Sequence, residues 1–84
     1  MHNDTLTNYR KEALLSELTS IDEEIGTLLN RQEDIQQQLS SYNISEKQRK
    51  DLLSEQRRNN AHINTYKGRR NELEKVLESL SVDL

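Results

Sequence analysis

The stretch LLSELTSIDEEIGTLLNRQEDIQQQLSSY, residues 14–42, decides the fold of this chain. Taken at alternating steps of four and three residues, it has one polar and eight apolar or aromatic side chains, at Leu14, Leu18, Ile21, Ile25, Leu28, Gln32, Ile35, Leu39 and Tyr42. A 3.5-residue repeat sustained over four heptads is typical of a coiled coil, so we expect a second helix to lie along this one. These nine positions are called the first ladder.

The composition favours long helices over a globular core. Hydrophobic residues make up 31% and aromatic residues 4% of the 84 residues, but they are periodic, and the chain has no Pro and two Gly. The length allows one small domain, and the lack of Cys excludes disulfides and thiolate chemistry. No signal peptide and no apolar run of membrane-spanning length is recognisable, so we expect a soluble, cytoplasmic protein with no membrane partner.

A break between two helices is predicted near residues 42–46, because residues 40–45 form a cluster rich in Ser and Asn, which favour turns and caps. Ser45 and Gln48 have the spacing of a capping box, which marks the start of a helix. A second ladder follows out of phase with the first, at Leu52, Gln56, Asn59, Ile63, Tyr66, Arg70, Leu73, Leu77, Leu80 and Leu84.

The sequence therefore predicts an all-α fold, an antiparallel helical hairpin of two long helices with coiled-coil packing, in a single domain of residues 1–84. Helix 1 is expected over about residues 5–42, the turn over about 43–45 and helix 2 over about 46–81. Because the break contains neither Gly nor Pro, one continuous helix with a stammer is the alternative.

A turn centred between residues 45 and 46 pairs ladder residues whose numbers add up to 91. The apolar pairs are Leu39 with Leu52, Leu28 with Ile63, Ile25 with Tyr66, Leu18 with Leu73, and Leu14 with Leu77. The same register places Gln32 opposite Asn59, where the two amides can satisfy each other. A buried polar layer of this kind lowers stability but fixes the register.

The distribution of charge supports the same pairing. The first 42 residues carry 3 basic and 8 acidic side chains, a net −5, and the last 42 carry 9 and 7, a net +2. The register is expected to bring Asp22 near Lys67 and Glu24 near Arg69. The same complementarity would suit two chains paired as an antiparallel dimer, and this arrangement stays open.

Some apolar residues lie outside the ladders. The ladder residues are the a and d positions of a heptad abcdefg, with Leu14 and Leu52 at d. Leu15, Leu29 and Leu53 then occupy e positions, and the e positions of both helices face the same side of an antiparallel hairpin. Because two helices cover only one side of each other, we expect self-association, as a dimer or tetramer, into a four-helix bundle or a larger homo-oligomer. The predicted oligomer or partner interface comprises Leu6, Tyr9, Leu15, Leu29, Leu53, Val76, Leu80 and Leu84.

No catalytic, cofactor or metal site is predicted. The chain has two His, and His62 has Arg58 and Tyr66 one turn away rather than a carboxylate that would orient it. Neither Gly26 nor Gly68 belongs to a phosphate-binding motif. We therefore expect a protein that is not an enzyme and that carries no cofactor.

A basic strip over residues 47–70 contains eight basic side chains against two acidic ones. Such a strip could contact phosphates, but Tyr66, its one aromatic residue, belongs to the second ladder and is not placed for base stacking. We expect Arg57 and Arg58 to contact an acidic protein surface instead. Direct binding of nucleic acid is the weaker hypothesis.

Three functions are compatible with these features: a module that binds and regulates another protein, a structural spacer or assembly chaperone, and a nucleic-acid binder using the basic strip.

The ladders and the polar faces Gln36-Gln37-Gln38 and Asn59-Asn60 resemble those of small coiled-coil regulators of temperate phages, such as antirepressors. The resemblance covers the whole chain, has no diagnostic motif and transfers no functional residues. It implies an oligomer that binds a transcriptional repressor and disables its DNA binding.

Overall fold

Two antiparallel α-helices of nearly equal length pack side by side. The computed structural model describes the backbone of residues 2–82 and the side chains of residues 6–80. Helix α1 spans His2–Leu39 and helix α2 spans Glu46–Val82. Together they form a rod with Cα extents of 65 × 14 × 14 Å. The predicted helical hairpin is confirmed, and the alternative of one continuous helix is wrong.

The two ladders form a continuous seam between the helices. Within residues 6–80, every buried side chain belongs to a ladder: Ile21, Ile25, Ile35, Leu52, Asn59, Ile63 and Leu73. The other ladder residues up to Leu39, and from Leu52 to Leu80, are half-buried. One cluster holds both members of two predicted pairs, Leu18 with Leu73 and Ile25 with Tyr66. The predicted register is therefore the one that the hairpin adopts.

Helix α1 ends three residues before the predicted boundary, at Leu39. Tyr42, predicted as the last residue of the first ladder, is 102% exposed and makes no part of the seam. The Ser41 N–H donates to a carbonyl three residues back, at 3.2 Å, and the Ser41 hydroxyl accepts from the Asn43 N–H at 3.5 Å. Short polar side chains offer the backbone bonds that compete with the helix, and they end it here before the apolar repeat does.

Helix α2 begins with the predicted capping box. The Gln48 N–H donates to the Ser45 hydroxyl at 3.1 Å, and the Ser45 N–H donates to the Gln48 side-chain carbonyl at 2.9 Å. These reciprocal bonds satisfy two backbone donors that a helix start otherwise leaves free. The cap fixes where α2 starts and therefore which ladder residues meet across the seam.

The seam's boundary can be tested by truncating an apolar side chain on each side of it. We expect Ile35→Ala to lower the free energy of unfolding by about 2–4 kcal/mol, because Ile35 is fully buried. Tyr42→Ala should change it by less than about 0.5 kcal/mol, because Tyr42 contacts solvent. Urea denaturation followed by circular dichroism measures both, and similar losses for the two variants would contradict the assigned end of the seam.

Candidate interaction surfaces

A polar layer interrupts the apolar seam near its middle. The Asn59 side-chain NH₂ donates to the Gln32 side-chain carbonyl at 3.0 Å and to the backbone carbonyl of Leu28 at 2.8 Å. The sequence predicted the contact between the two amides but not the bond to the backbone. Asn59 is buried, so a shift of register would leave its amide without these partners, at a cost of about 1–3 kcal/mol.

Ion pairs between the helices cover one side of the seam, where the g positions of both helices lie. Arg31 donates through Nε and Nη2 to the two carboxylate oxygens of Glu55, with 2.7 Å between Nη2 and Oε1. Further along the same side, Arg69 Nη2 lies 3.0 Å from Glu17 Oε1. These four residues define the ion-pair flank.

Hydrogen bonding on the ion-pair flank shifts the pKa of several groups. The bonds from Arg31 lower the pKa of Glu55 below its ordinary value of 4.5; partial burial opposes the shift, and the charges of Arg31 and Arg58 add to it. The bond to Glu55 raises the pKa of Arg31 in turn. On the other pair, the bond to Glu17 raises the pKa of Arg69. The first pair thus favours the charged form of both Arg31 and Glu55, and the second pair favours the charged form of Arg69.

Arg69, which the register was expected to bring near Glu24, forms its ion pair across the seam with another carboxylate. Arg69 binds Glu17 and also lies 3.5 Å from Glu72 on its own helix. By the register, Arg69 lies between Glu17 and Glu24 along the rod, within about 8 Å of each along the helix axis. The long arginine side chain can reach either carboxylate, so the spacing of the ladders does not decide between them.

Asp22, which the register was expected to bring near Lys67, forms its ion pair with Arg70, with 3.3 Å between Nη1 and Oδ1. Arg70 is a ladder residue, so its guanidinium starts inside the seam and must turn outward to a partner. Its Nε is buried without a hydrogen bond and lies 4.0 Å from Glu74. Leaving the half-buried Arg70 guanidinium without a carboxylate would cost more free energy than leaving the exposed Lys67 unpaired. Asp22 therefore binds Arg70 rather than Lys67.

The opposite side of the seam carries the three predicted e-position leucines. Leu15, Leu29 and Leu53 are 53%, 49% and 39% exposed. They define the leucine flank, where the contact between Asp22 and Arg70 lies between the first two leucines. The structure thus places these three residues on one side, as predicted, and leaves about half of each side chain in solvent.

The remaining predicted interface residues lie toward the open end of the hairpin. Leu6 and Tyr9 are exposed on the outer side of α1, and Val76 is exposed beside the ion-pair flank. Leu80 is half-buried in the seam rather than free. Leu84 lies outside the described residues. The open end therefore presents three apolar side chains that do not share the leucine flank.

The basic strip is interrupted by the ion pairs. Of its eight basic residues, Arg69 and Arg70 are bound by carboxylates and the other six are exposed. Arg57 and Arg58, predicted as one surface, lie about 100° apart around α2. Arg57 is therefore beside the leucine flank, and Arg58 is close enough to Glu55 to lower its pKa.

The turn exposes an aromatic residue that the sequence interpretation assigned to the seam. Tyr42 stands free at the tip, and beneath it Ile44 is half-buried at a shallow depression lined also by Gln38, Gln48, Asp51 and Leu52. The position of Tyr42 between Ser41 and Asn43, both turn-favouring residues, is the signal that could have identified it.

Groups of three or more potential metal ligands do not occur among the residues described, and His62 is exposed. Over the same residues, neither helix has the length of apolar sequence needed to cross a membrane. Comparison of the chain with protein-family models, with curated proteins and with solved structures finds no match.

Replacing the buried amide tests the polar layer. We expect Asn59→Ala to lower the free energy of unfolding by about 1–3 kcal/mol, because Gln32 and the Leu28 carbonyl lose their donor. Replacing both Gln32 and Asn59 by Leu should restore or raise stability while permitting other registers. Denaturation and native mass spectrometry check both outcomes, and an Asn59→Ala variant as stable as the parent chain would contradict this role.

The lowered pKa of Glu55 gives a pH dependence with a defined sign. The pair with Arg31 stabilises the fold above the ordinary carboxylate pKa of 4.5, and this contribution is lost as the pH falls through the lower pKa of the folded state. Glu55→Gln should therefore lower the melting temperature at about pH 7, and the difference from the parent chain should vanish at about pH 2.

The matched control is Glu33→Gln, which makes the same charge change at an exposed residue on the other side of the seam. It should melt with the parent chain at about pH 7 and at low ionic strength, where surface charge effects are largest. An equal loss in both variants would show that net charge, not the pair with Arg31, determines the effect.

Proposed function

We propose that this chain is a non-catalytic, self-associating coiled-coil protein that binds and regulates another protein. The supporting observation is that large apolar and aromatic side chains remain exposed although the seam is already filled: Leu6, Tyr9, Leu15, Leu29, Tyr42, Leu53 and Val76. Exposed apolar side chains grouped along a surface are typical of protein-binding sites. Here they lie on the leucine flank, at the open end and at the turn.

The shape of the molecule supports binding along surfaces rather than in a cavity. The rod is only two helices thick, 14 Å in each short dimension between Cα atoms. A two-helix rod can recognise a partner helix by adding it to a flank, as in larger helical bundles. Self-association and capture of another protein can thus use different sides of the same hairpin.

The partner that we propose is a DNA-binding transcriptional repressor, which would place the protein in the cytoplasm. This proposal rests on the resemblance to phage antirepressors, and the charges are compatible with it. The chain has a net charge of −3, and carboxylates already bind Arg69 and Arg70 of the basic strip. An indirect link to DNA, through the repressor, requires no phosphate contacts from the chain itself.

Two other functions are each favoured by one observation. The 65 Å length suits a structural spacer or assembly chaperone. The six exposed basic residues between Lys47 and Lys67 suit direct contact with nucleic acid. Formation of filaments by the purified chain would favour the spacer, and salt-dependent retention on DNA or RNA would favour the nucleic-acid binder.

Capture experiments with matched variants test the proposed function. The open-end variant replaces Leu6 and Tyr9 by Glu, and the control replaces Thr27 and Asn30 by Glu at the same heptad positions and spacing. All four residues are exposed, so both variants should keep the helical circular dichroism of the parent chain. We expect the parent chain and the control to retain the same defined protein and the open-end variant to retain at least about tenfold less.

The captured protein must then lose DNA affinity when the parent chain is added, as measured by fluorescence anisotropy with its own operator fragment. Unchanged DNA affinity would contradict the repressor mechanism. Retention that is equal for all three proteins and that falls steeply with salt would contradict protein binding through the open end and favour nucleic acid.

A further inference from the structure

The two flanks of the seam differ in the side chains that they leave without a partner in the hairpin. On the ion-pair flank, the arginines and glutamates of the two helices bind each other. The leucine flank instead exposes about half of each of three leucines, and burying them would contribute about 1 kcal/mol per leucine. The leucine flank is therefore the side on which a further helical surface gains most.

When the rod is turned end for end, Leu15 and Leu53 exchange their positions along its axis. By the register, Leu53 is level with residue 38 of α1, so the outer two leucines lie about 35 Å apart along the rod. The midpoint between them falls at Gly26 and Thr27. Leu29 lies about 4 Å from this midpoint.

Gly26 occupies a b position, on the same flank as the e-position leucines. A Cβ atom added at Gly26 would meet nothing within 4 Å, so the fold of the single hairpin does not require glycine here. Glycine at this position lowers helix propensity by about 1 kcal/mol relative to Ala. It does allow a second helix to approach α1 closely, at the midpoint of the leucine spacing.

We infer that the leucine flank binds a second copy of this chain, reversed in direction, about a two-fold axis that passes beside Gly26. This inference rests on the self-association in the proposed function and specifies its geometry. Leu15 then lies level with Leu53 of the partner subunit, and the reciprocal contact repeats at the other end. Leu29 packs over the partner subunit's Gly26, where the missing side chain leaves space. The product is an antiparallel four-helix bundle.

Charges at the two ends of the leucine flank select the reversed orientation. At the open end the b positions carry Glu12 and Glu78, and toward the turn they carry Lys50 and Arg57 together with Glu33, all exposed, so the open end is the more acidic. In the reversed dimer, Glu12 and Glu78 of one copy lie level with Lys50 of the other. In a dimer whose hairpins point the same way, Glu12 and Glu78 would face the same carboxylates of the partner, which is unfavourable.

The overlap is large enough for a stable dimer. A face about 35 Å long and about 20 Å wide would bury on the order of 1,400 Å² over both subunits, within the usual range for specific protein interfaces. The ion-pair flanks and the open-end residues Leu6, Tyr9 and Val76 stay outside this contact. A bound partner protein would therefore find them accessible in the dimer.

Cysteine cross-linking tests the orientation, because the chain has no Cys of its own. We expect Gly26→Cys to form a disulfide-linked dimer on mild oxidation, since the two residues face each other beside the axis. Asn30→Cys, on the outer side of α1, is the matched control and should stay reduced. In a dimer pointing the same way, Gly26 would instead face Asn64 of the partner subunit. A mixed disulfide between Gly26→Cys and Asn64→Cys chains in preference to the Gly26→Cys homodimer would therefore overturn the proposed orientation.

Native mass spectrometry of leucine variants tests the surface. Leu29→Glu with Leu53→Glu should raise the dimer dissociation constant at least about 100-fold. Val76→Glu, at an exposed apolar residue off the leucine flank, should leave it within about threefold. A parent chain that is monomeric, or a double variant that still dimerises, would overturn the inference. A monomeric parent chain would also contradict the self-association in the proposed function, whereas a double variant that still dimerises would overturn the inference alone. In both cases, capture of a partner by the open end would be intact, so the capture experiment tests partner binding separately.

Discussion

The structure depends on the interlocking of two apolar ladders in one register. A two-helix rod has no further layer of structure that could cover misplaced side chains. A slip along the seam would therefore expose apolar side chains and bury charged ones. The Asn59 amide, bonded to Gln32 and to the Leu28 carbonyl, adds a directional constraint to this packing. The capping box of Ser45 and Gln48 fixes the start of α2, and the rest of the hairpin follows from these restraints.

The register makes the two sides of the rod chemically different. In an antiparallel pair the g positions of both helices share one side, and here they hold the pairs Arg31 with Glu55 and Glu17 with Arg69. The e positions share the other side and hold the three leucines. One flank is thus largely satisfied within the chain, whereas the other leaves apolar surface in solvent. This difference between the two sides suits a protein that packs along the side of helical partners.

The same arrangement favours binding at the surface of the rod. Within the described part of the chain, the depression near the turn, lined by Ile44 and Leu52 among others, is shallow, and the amides of Gln32 and Asn59 in the seam bind each other. The exposed apolar residues form separate groups on the leucine flank and at the open end. Separate groups allow self-association and partner binding to coexist, which is the physical basis of the proposed function.

The sequence by itself determined two helices and the pairing of their ladders, with Gln32 opposite Asn59, because 3.5-residue periodicity and capping chemistry act through residues close in sequence. It left one continuous helix and a pairing of two chains as alternatives to the hairpin. Only the structure of the assembled hairpin decided where α1 stops, since the sequence offered both an apolar repeat that reaches Tyr42 and turn-favouring residues around it, and the local bonds of Ser41 prevail. It also decided which carboxylates the arginines bind. Long side chains reach several partners at similar cost, and the choice between Glu17 and Glu24 depends on the distances between the assembled helices.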